Sequence, residues 1–342
     1  MQGTRPVEGE SSWNEEFWSE GIALVADGRM AQPFFSIVIP NYNAVEHLSR
    51  CLASLKRQSY RNFETLVVDN GSNDESVEMV ERGFPEVRLI RLPEPAGFAR
   101  PVNEGIRQSA GRWIFTLNND TEVDPRCLEE VWRGISAHPE CAFFACKLLF
   151  HDRPEVINSA GHGLTRGLVV VDRGVGESAA RYNQEAEVLG TCAGAGVYGR
   201  DLLEALGGFD EDFFMYYEDA DLSVRAQLAG YRCRYLPGAI VYHVHSWSLG
   251  SASPLVHYLG YRNRLLLVLQ SVPARFLLRH ALGFTLSQFV TNAALAATGR
   301  AALAGRALAA ALWLLPRTLW KRGNLRWQRA VDCSILERYF VN

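Results

Sequence analysis

From Phe34 onward, short runs of apolar and β-branched residues alternate with stretches whose apolar positions recur every three or four residues. In order they read SIVIP, the helical EHLSRCLASLKRQ, ETLVVDN, the helical DESVEMVERG, VRLIRL, the helical FARPVNEGIRQSA, RWIFTLNND and the helical PRCLEEVWRGISAH. Runs that are apolar on both faces belong to strands buried inside a sheet, and amphipathic helices belong on its two faces. The alternation therefore predicts βαβ units and a Rossmann-like α/β domain, with a mostly parallel central sheet and helices on both faces. Between Lys147 and about Gly190 the period is lost and Gly161, Gly163, Gly167, Gly174 and Gly176 accumulate, which predicts a hairpin-like excursion before regular structure returns at Val188. After Ser253 the chain reads as helical. There Leu278, Leu282, Leu286 and Phe289 form a stripe opposite Gln288, Thr291 and Asn292, so this helix is expected to lie on something apolar. Three parts follow: an acidic, Trp-containing extension without a period over residues 1–33, the α/β domain over 34–253, and a helical region over 254–342.

An open α/β sheet binds its ligands in the loops beyond the carboxyl ends of its strands. Asn41 to Asn43, Asp69 to Asn73 and Asn118 to Asp120 fall in such loops. Asp69 enters a turn of Asn70, Gly71, Ser72 and Asn73, where a fixed carboxylate can accept hydrogen bonds from a nucleobase or a ribose hydroxyl; a plain strand-to-helix turn with the helix beginning at Asp74 is the other reading. Asn118, Asn119 and Asp120 offer hard oxygen atoms of the kind that hold Mg²⁺ or Mn²⁺ beside substrate phosphates, against the alternative of a solvated acidic turn with Asp124 capping the next helix. A third cluster, GGFDEDFFMYYEDADL, runs from two aromatic pairs into Glu218, Asp219 and Asp221. Acidic residues suit a helix N-terminus, but crowding them in partly apolar surroundings raises their affinity for protons, which suits one of them to general-base work. His243 follows the β-rich run AIVY and reads on its own as a core histidine or a ligand.

Taken in this order, the segments from Phe34 to about Trp247 resemble the family-two glycosyltransferases of GT-A fold, especially the bacterial rhamnosyltransferase-like branch. SIVIPNYN is similar to that family's opening strand and nucleotide loop, which implies that Pro40 and Tyr42 lie at the nucleotide and that Tyr42 packs on the base. The resemblance further places Asp69 at the base or ribose, Asn103 at the polar position of the helix in GFARPVNEGI, and Asn118, Asn119 and Asp120 where the family has its DxD motif. The last cluster resembles the acceptor and catalytic region, implying Asp219 as the base with Glu218 orienting it. His243 lies 24 residues beyond Asp219, the interval at which related galactofuranosyltransferases complete their metal site. The chain departs from the pattern at Asn118, which replaces the first acid, so metal affinity would lean on the donor's diphosphate. Pro95 and Ala96 replace an Asn-Leu pair, and Arg100 with Pro101 replaces small residues, setting a cation near the expected diphosphate and implying a different donor preference.

The activity so implied is an inverting, metal-assisted transfer of a sugar, L-rhamnose or another hexose, from a dTDP- or UDP-linked donor to a hydroxyl of a glycan or polyprenyl-diphosphate-linked acceptor in surface polysaccharide synthesis. The cofactor is a divalent cation, Mg²⁺ or Mn²⁺, on Asp120 and His243. A non-catalytic glycan-binding or scaffolding protein with a retained fold is the alternative, and the presence of Asp69, Asp120, Asp219 and His243 counts against it. A processive synthase would need a QxxRW motif, whereas Arg326 and Trp327 follow Gly323 and lie 107 residues past Asp219. A sugar nucleotidyltransferase would carry a Gly-rich, Arg/Lys-bearing loop after its first strand.

Charge sharpens the choice of partners. Net charge is −3 over 342 residues, which excludes a nucleic-acid binder relying on overall basicity. From Pro254 to Asn342, however, 12 Lys and Arg face 2 Asp and Glu, a balance of +10. Cationic amphipathic helices bind anionic membrane surfaces, so a peripheral position on the inner face of the cell membrane is expected, with a solvated appendage or a homodimer contact as alternatives. The seven cysteines are odd in number and form no CxxC pair, and no secretory signal opens the sequence, so a reducing cytoplasm is expected. Ala281 to Gly299 has the length of a membrane span but carries Thr285, Ser287, Gln288, Thr291 and Asn292, and is read as non-spanning.

Overall fold

The computed structural model describes residues 32–244, 253–325 and 330–341. The expected extension over 1–33 therefore lies almost wholly outside the described residues, as do Arg326 and Trp327. The elements run β1 (Phe35–Asn41), α1 (Val45–Lys56), β2 (Phe63–Asp69), α2 (Ser76–Gly83), β3 (Arg88–Arg91), α3 (Ala99–Gln108), β4 (Trp113–Leu117), β5 (Thr121–Val123) and α4 (Cys127–Ala137). Next come β6 (Cys141–Phe150), β7 (Arg153–Ser159), β8 (His162–Leu164), β9 (Val170–Asp172), β10 (Ala186–Val188), β11 (Ala195–Gly199), α5 (Arg200–Leu206), α6 (Glu218–Leu228) and β12 (Arg232–His243). The C-terminal helices are α7 (Pro254–Gln270), α8 (Ala274–Arg279), α9 (Ala281–Ala297), α10 (Ala301–Trp313) and α11 (Leu315–Leu325), before a 3₁₀ turn at Cys333–Tyr339.

The main sheet has the order β10-β12-β6-β11-β4-β1-β2-β3. Strands β4, β1, β2 and β3 are mutually parallel, and β11 enters antiparallel between β4 and β6. Alternation along β1 fixes the two faces: Ile37 and Ile39 join the core beneath α1 and α4, while Val38 joins the core beneath α3 and α6. Helix α3 lies close on β1 because Gly105 has no side chain; a Cβ there would come within 2.3 Å of Val38 Cγ1.

The expected irregular segment begins later than Lys147. Strand β6 runs on to Phe150, and β7 pairs back on it antiparallel, because buried Leu148, Leu149 and Ile157 keep the sheet going. The excursion proper is the β8–β9 hairpin. Helix α2 likewise begins at Ser76 and not at Asp74, whose carboxylate instead accepts from the Ser76 and Val45 N–H groups.

A third core ties the C-terminal region to the sheet domain. Ala220, Val224 and Leu228 of α6 pack with Leu266, Leu267 and Val268 of α7, Phe276 of α8, and Leu336 and Tyr339. The stripe expected to lie on the protein does the reverse: Leu278, Leu282, Leu286 and Phe289 face outward. The polar side turns inward, where Ser287 and Thr291 accept from the Arg264 guanidinium and Asn292 accepts from the Tyr261 hydroxyl. A guanidinium and a phenol on α7 need hydrogen-bond acceptors once buried, and that need sets the rotation of α9.

Candidate active site

Three strand ends meet at one edge of the sheet. In-register pairing of β1 with β2 sets Asn41 beside Asp69. Asn41 Nδ2 donates to Ser72 Oγ, its Oδ1 accepts from Asn119 Nδ2 at 2.8 Å, and Asp69 Oδ2 accepts from the Ser72 N–H at 3.1 Å. Pro40 precedes this knot, half-buried, and Tyr42 stands exposed at its rim, a free ring face for a planar ligand. Asn70 extends the knot to the next loop, donating to the Gly97 carbonyl and accepting from the Ala96 N–H.

Asp120 and His243 are 123 residues apart in sequence and adjacent in space. Antiparallel pairing of β5 with β12 sets His243 opposite Thr121, and this brings His243 Nε2 to 3.2 Å from Asp120 Oδ1 and 3.3 Å from Asn118 Nδ2. His243 Nδ1 lies 2.9 Å from Asn158 Oδ1, and this contact orients the ring with Nε2 toward Asp120. Burial alone would raise the Asp120 carboxyl, but the hydrogen bond and charge of His243 outweigh it and hold the carboxyl below its usual range. An imidazole Nε2 and a carboxylate oxygen this close fit two neighbouring ligands of one small cation, whose octahedral bonds of about 2.1 Å put adjacent ligands about 3 Å apart. Among the described residues no three His, Cys, Asp or Glu side chains gather on one point, so further ligands would come from phosphate oxygens or water.

The carboxylate pair at the start of α6 is divided by its surroundings. Glu218 is 5% exposed, and its Oε2 has no hydrogen-bond partner. Burial, with the charge of Asp219 adding to it, pushes its carboxyl well above the normal range. The Asp219 side chain is 17% exposed, with Oδ2 accepting from the Ala193 N–H at 3.0 Å and Oδ1 from the Ala220 N–H at 2.7 Å. Asp221 is fully buried against Arg225 and Ser271, an architectural role. The short segment Cys192–Gly194 joins the two clusters, since Gly194 O accepts from the Asn118 N–H while Ala193 N–H holds Asp219. Tyr216 also feels both: burial first, then the charges of Glu218 and Asp120, push its phenol up.

Of the residues singled out in the sequence, the structure gathers Pro40, Tyr42, Asp69, Asn118, Asn119, Asp120 and His243 at this edge and brings Asp219 to it through Cys192–Gly194. Arg100 is exposed on the first turn of α3. Asn103 turns elsewhere: its amide donates to the Phe209 carbonyl and Glu211, and its oxygen accepts from the Phe209 N–H, so it fixes the approach to the aromatic loop and not a nucleotide.

Several residues had no signal in the sequence. Asn263 of α7 is buried, and its Nδ2 lies 2.9, 2.8 and 2.7 Å from the carbonyls of Phe213, Met215 and Tyr216. His162 on β8 has Nε2 at 3.8 Å from both Asp219 Oδ2 and Asp172 Oδ1. Asn158 orients His243 from β7. None belongs to a motif or a recurring spacing.

Residues 36–204 match the family Glycosyl transferase family 2. The chain is 29% identical over 240 residues, 63% of its length and 77% of the relative's, to the N-acetylglucosaminyl-diphospho-decaprenol L-rhamnosyltransferase of Mycobacterium tuberculosis. Among solved structures, it is similar to GalNAc-T7 with UDP, GalNAc and Mn²⁺, with a TM-score of 0.59 and 16% identity over 77% of this chain and 51% of that one. A second similarity is to the mannosyltransferase PcManGT of Pyrobaculum calidifontis in complex with GDP-Man and Mn²⁺, with a TM-score of 0.53 and 17% identity over 87% of this chain and 86% of that one.

Proposed function

Because the chain belongs to glycosyl transferase family 2 and is a glycosyltransferase of GT-A fold, we propose that it moves L-rhamnose or another hexose from a nucleoside-diphosphate donor to a hydroxyl of a lipid-linked glycan, with inversion. The observation that carries this reading is the position of Asp219, an oriented and partly exposed carboxylate joined through Cys192–Gly194 to the Asn118, Asp120 and His243 cluster. Tyr42 offers its ring to the base, and Asp69 with Asn41 closes the floor beneath the ribose. Asp120 and His243 would hold the divalent cation, which when bound offsets charge on the leaving diphosphate. Arg100 is exposed and able to meet a ligand anion.

Asp219 takes the proton of the acceptor hydroxyl as that oxygen attacks the anomeric carbon and the diphosphate departs from the opposite face. One displacement by one base inverts the anomeric centre; retention by two displacements would need a second positioned nucleophile, and Glu218 is buried. The relative's decaprenyl-linked substrate supports a polyprenyl-diphosphate acceptor in surface polysaccharide synthesis, and hence work at the cytoplasmic face of a membrane. The deciding experiment offers dTDP-rhamnose and a panel of UDP-hexoses with a polyprenyl-diphosphate-linked acceptor, reads nucleoside diphosphate release, and assigns the product's anomeric configuration by NMR. Release with no donor would favour a glycan-binding protein, and a retained configuration would overturn the single displacement.

A further inference from the structure

Resting on the reading of a lipid-linked acceptor, we infer that α9, α10 and α11 form an interfacial docking surface for an anionic lipid bilayer. The observation is the inverted setting of α9. Its Ser287 and Thr291 hydroxyls and its Asn292 amide are engaged by Arg264 and Tyr261 of α7, and its apolar side faces outward, with Leu282 at 74% and Phe289 at 71% exposure. Trp313 of α10 and Trp320 of α11 are exposed by 81% and 68%. Leu286 and Leu312 are exposed as well. Each such side chain gains about 1.5–3 kcal/mol when fully taken out of water, and a soluble monomer rarely leaves a large apolar patch uncovered.

Charge identifies the cover. Two copies meeting through these helices would bring together faces whose charged residues, Arg306 of α10 and Arg317, Lys321 and Arg322 of α11, are all cationic, Arg317 and Lys321 being partly offset by Asp212 and Asp210, whereas an anionic bilayer attracts each nearby cation. Exposed Arg306 lies on α10, and exposed Arg166 borders α9, where its carbonyl backs onto Gly283. Tryptophan rings suit the headgroup level, where one edge is apolar and the other wet. The helices lie on the membrane and do not cross it, since none among the described residues is long and apolar enough. Helix α7 carries the surface into the site: Arg264 holds α9, and the preceding Asn263 holds the loop that leads to Glu218 and Asp219. Docking would therefore set the catalytic edge relative to the plane from which a lipid-linked hydroxyl is presented.

The test is flotation of the full chain with phosphatidylcholine vesicles, with and without phosphatidylglycerol, alongside light scattering of the free protein. Wild type should float with anionic vesicles at low salt and bind several-fold less at high salt. The triple variant L286S/F289S/W313S should lose at least tenfold in partitioning while retaining donor turnover on a short water-soluble acceptor. Turnover of that acceptor tests the glycosyltransferase reading separately. Wild type that stays in solution at low salt overturns the surface without use of any variant. So does a dimer that the triple variant breaks, which would give the face to a second copy, and so does binding that resists both salt and alkali, which would mean embedding.

Discussion

Replacing Asp219 with asparagine keeps the side chain's shape and removes its proton acceptor, and the structure sets the size of both consequences. The two carboxylate oxygens accept from the Ala193 and Ala220 N–H groups at 3.0 and 2.7 Å. An amide can satisfy only one of them and turns its own NH₂ on the other, which costs about 1–3 kcal/mol of stability. Loss of a general base lowers transfer by about 10²–10⁴-fold, or roughly 2.7–5.5 kcal/mol of barrier. Donor binding, proposed at Tyr42, Asp69 and Asp120, should change little. Calorimetric titration of the donor, nucleoside diphosphate release with acceptor present, and urea unfolding separate the three effects. Glu218→Gln is the control: burial pushes that carboxyl up, toward the neutral form that an amide mimics, and transfer should stay within about tenfold of wild type. If Asp219→Asn transferred sugar at nearly the normal rate while Glu218→Gln did not, the assignment within the pair would be wrong.

The other expectations are read by simpler measurements. Glu218 has a folded-state proton affinity above its unfolded one, so the unfolded chain releases this proton first and stability falls as pH rises from about 4.3 toward the folded value; Glu218→Gln should flatten that decline in urea midpoints, and parallel curves would refute it. Asp120→Ala and His243→Ala should each weaken divalent-cation dependence of donor binding, while Asp124→Ala should touch only the start of α4; full turnover in excess chelator would remove the cation. Asn263→Leu removes the amide donor against the Met215 and Tyr216 carbonyls, while the Phe213 carbonyl keeps Arg262, costing about 1–3 kcal/mol and lowering kcat with donor Kd unchanged; equal loss in both parameters would make the residue merely structural.

Strand ends were legible in the sequence because the apolar runs of β1, β2 and β4 break off at polar residues, at Asn41, Asp69 and Asn118. What such a pattern cannot give is the meeting of elements distant in the chain. The 24-residue interval from Asp219 to His243 says nothing of Asp120; the β5–β12 register does. Asn103 is singled out by the resemblance of its helix to the family's, and its amide is matched to the Phe209 backbone. Amphipathicity revealed the stripe on α9 but not its direction, which Arg264 on a separate helix decides.

The loop before α6 shows why the C-terminal helices belong to the site. Phe214, Tyr216 and Tyr217 adopt left-handed φ values of 65°, 67° and 70°, each costing about 1–2 kcal/mol for a residue with a side chain. No local pattern repays that. The Phe214 carbonyl accepts from the Phe98 N–H at 2.6 Å, an approach open only because Gly97 lacks a Cβ, which would sit 2.2 Å from that oxygen. From the other side, Arg262 donates to the Asp212 and Phe213 carbonyls, and the Asn263 amide lies against the carbonyls of Phe213, Met215 and Tyr216 along the same turn. The backbone leading into Glu218 and Asp219 is thus held between the start of α3 on one side and α7, which carries the exposed apolar helices, on the other. Contacts from both neighbours hold this strained turn and fix where the candidate base stands.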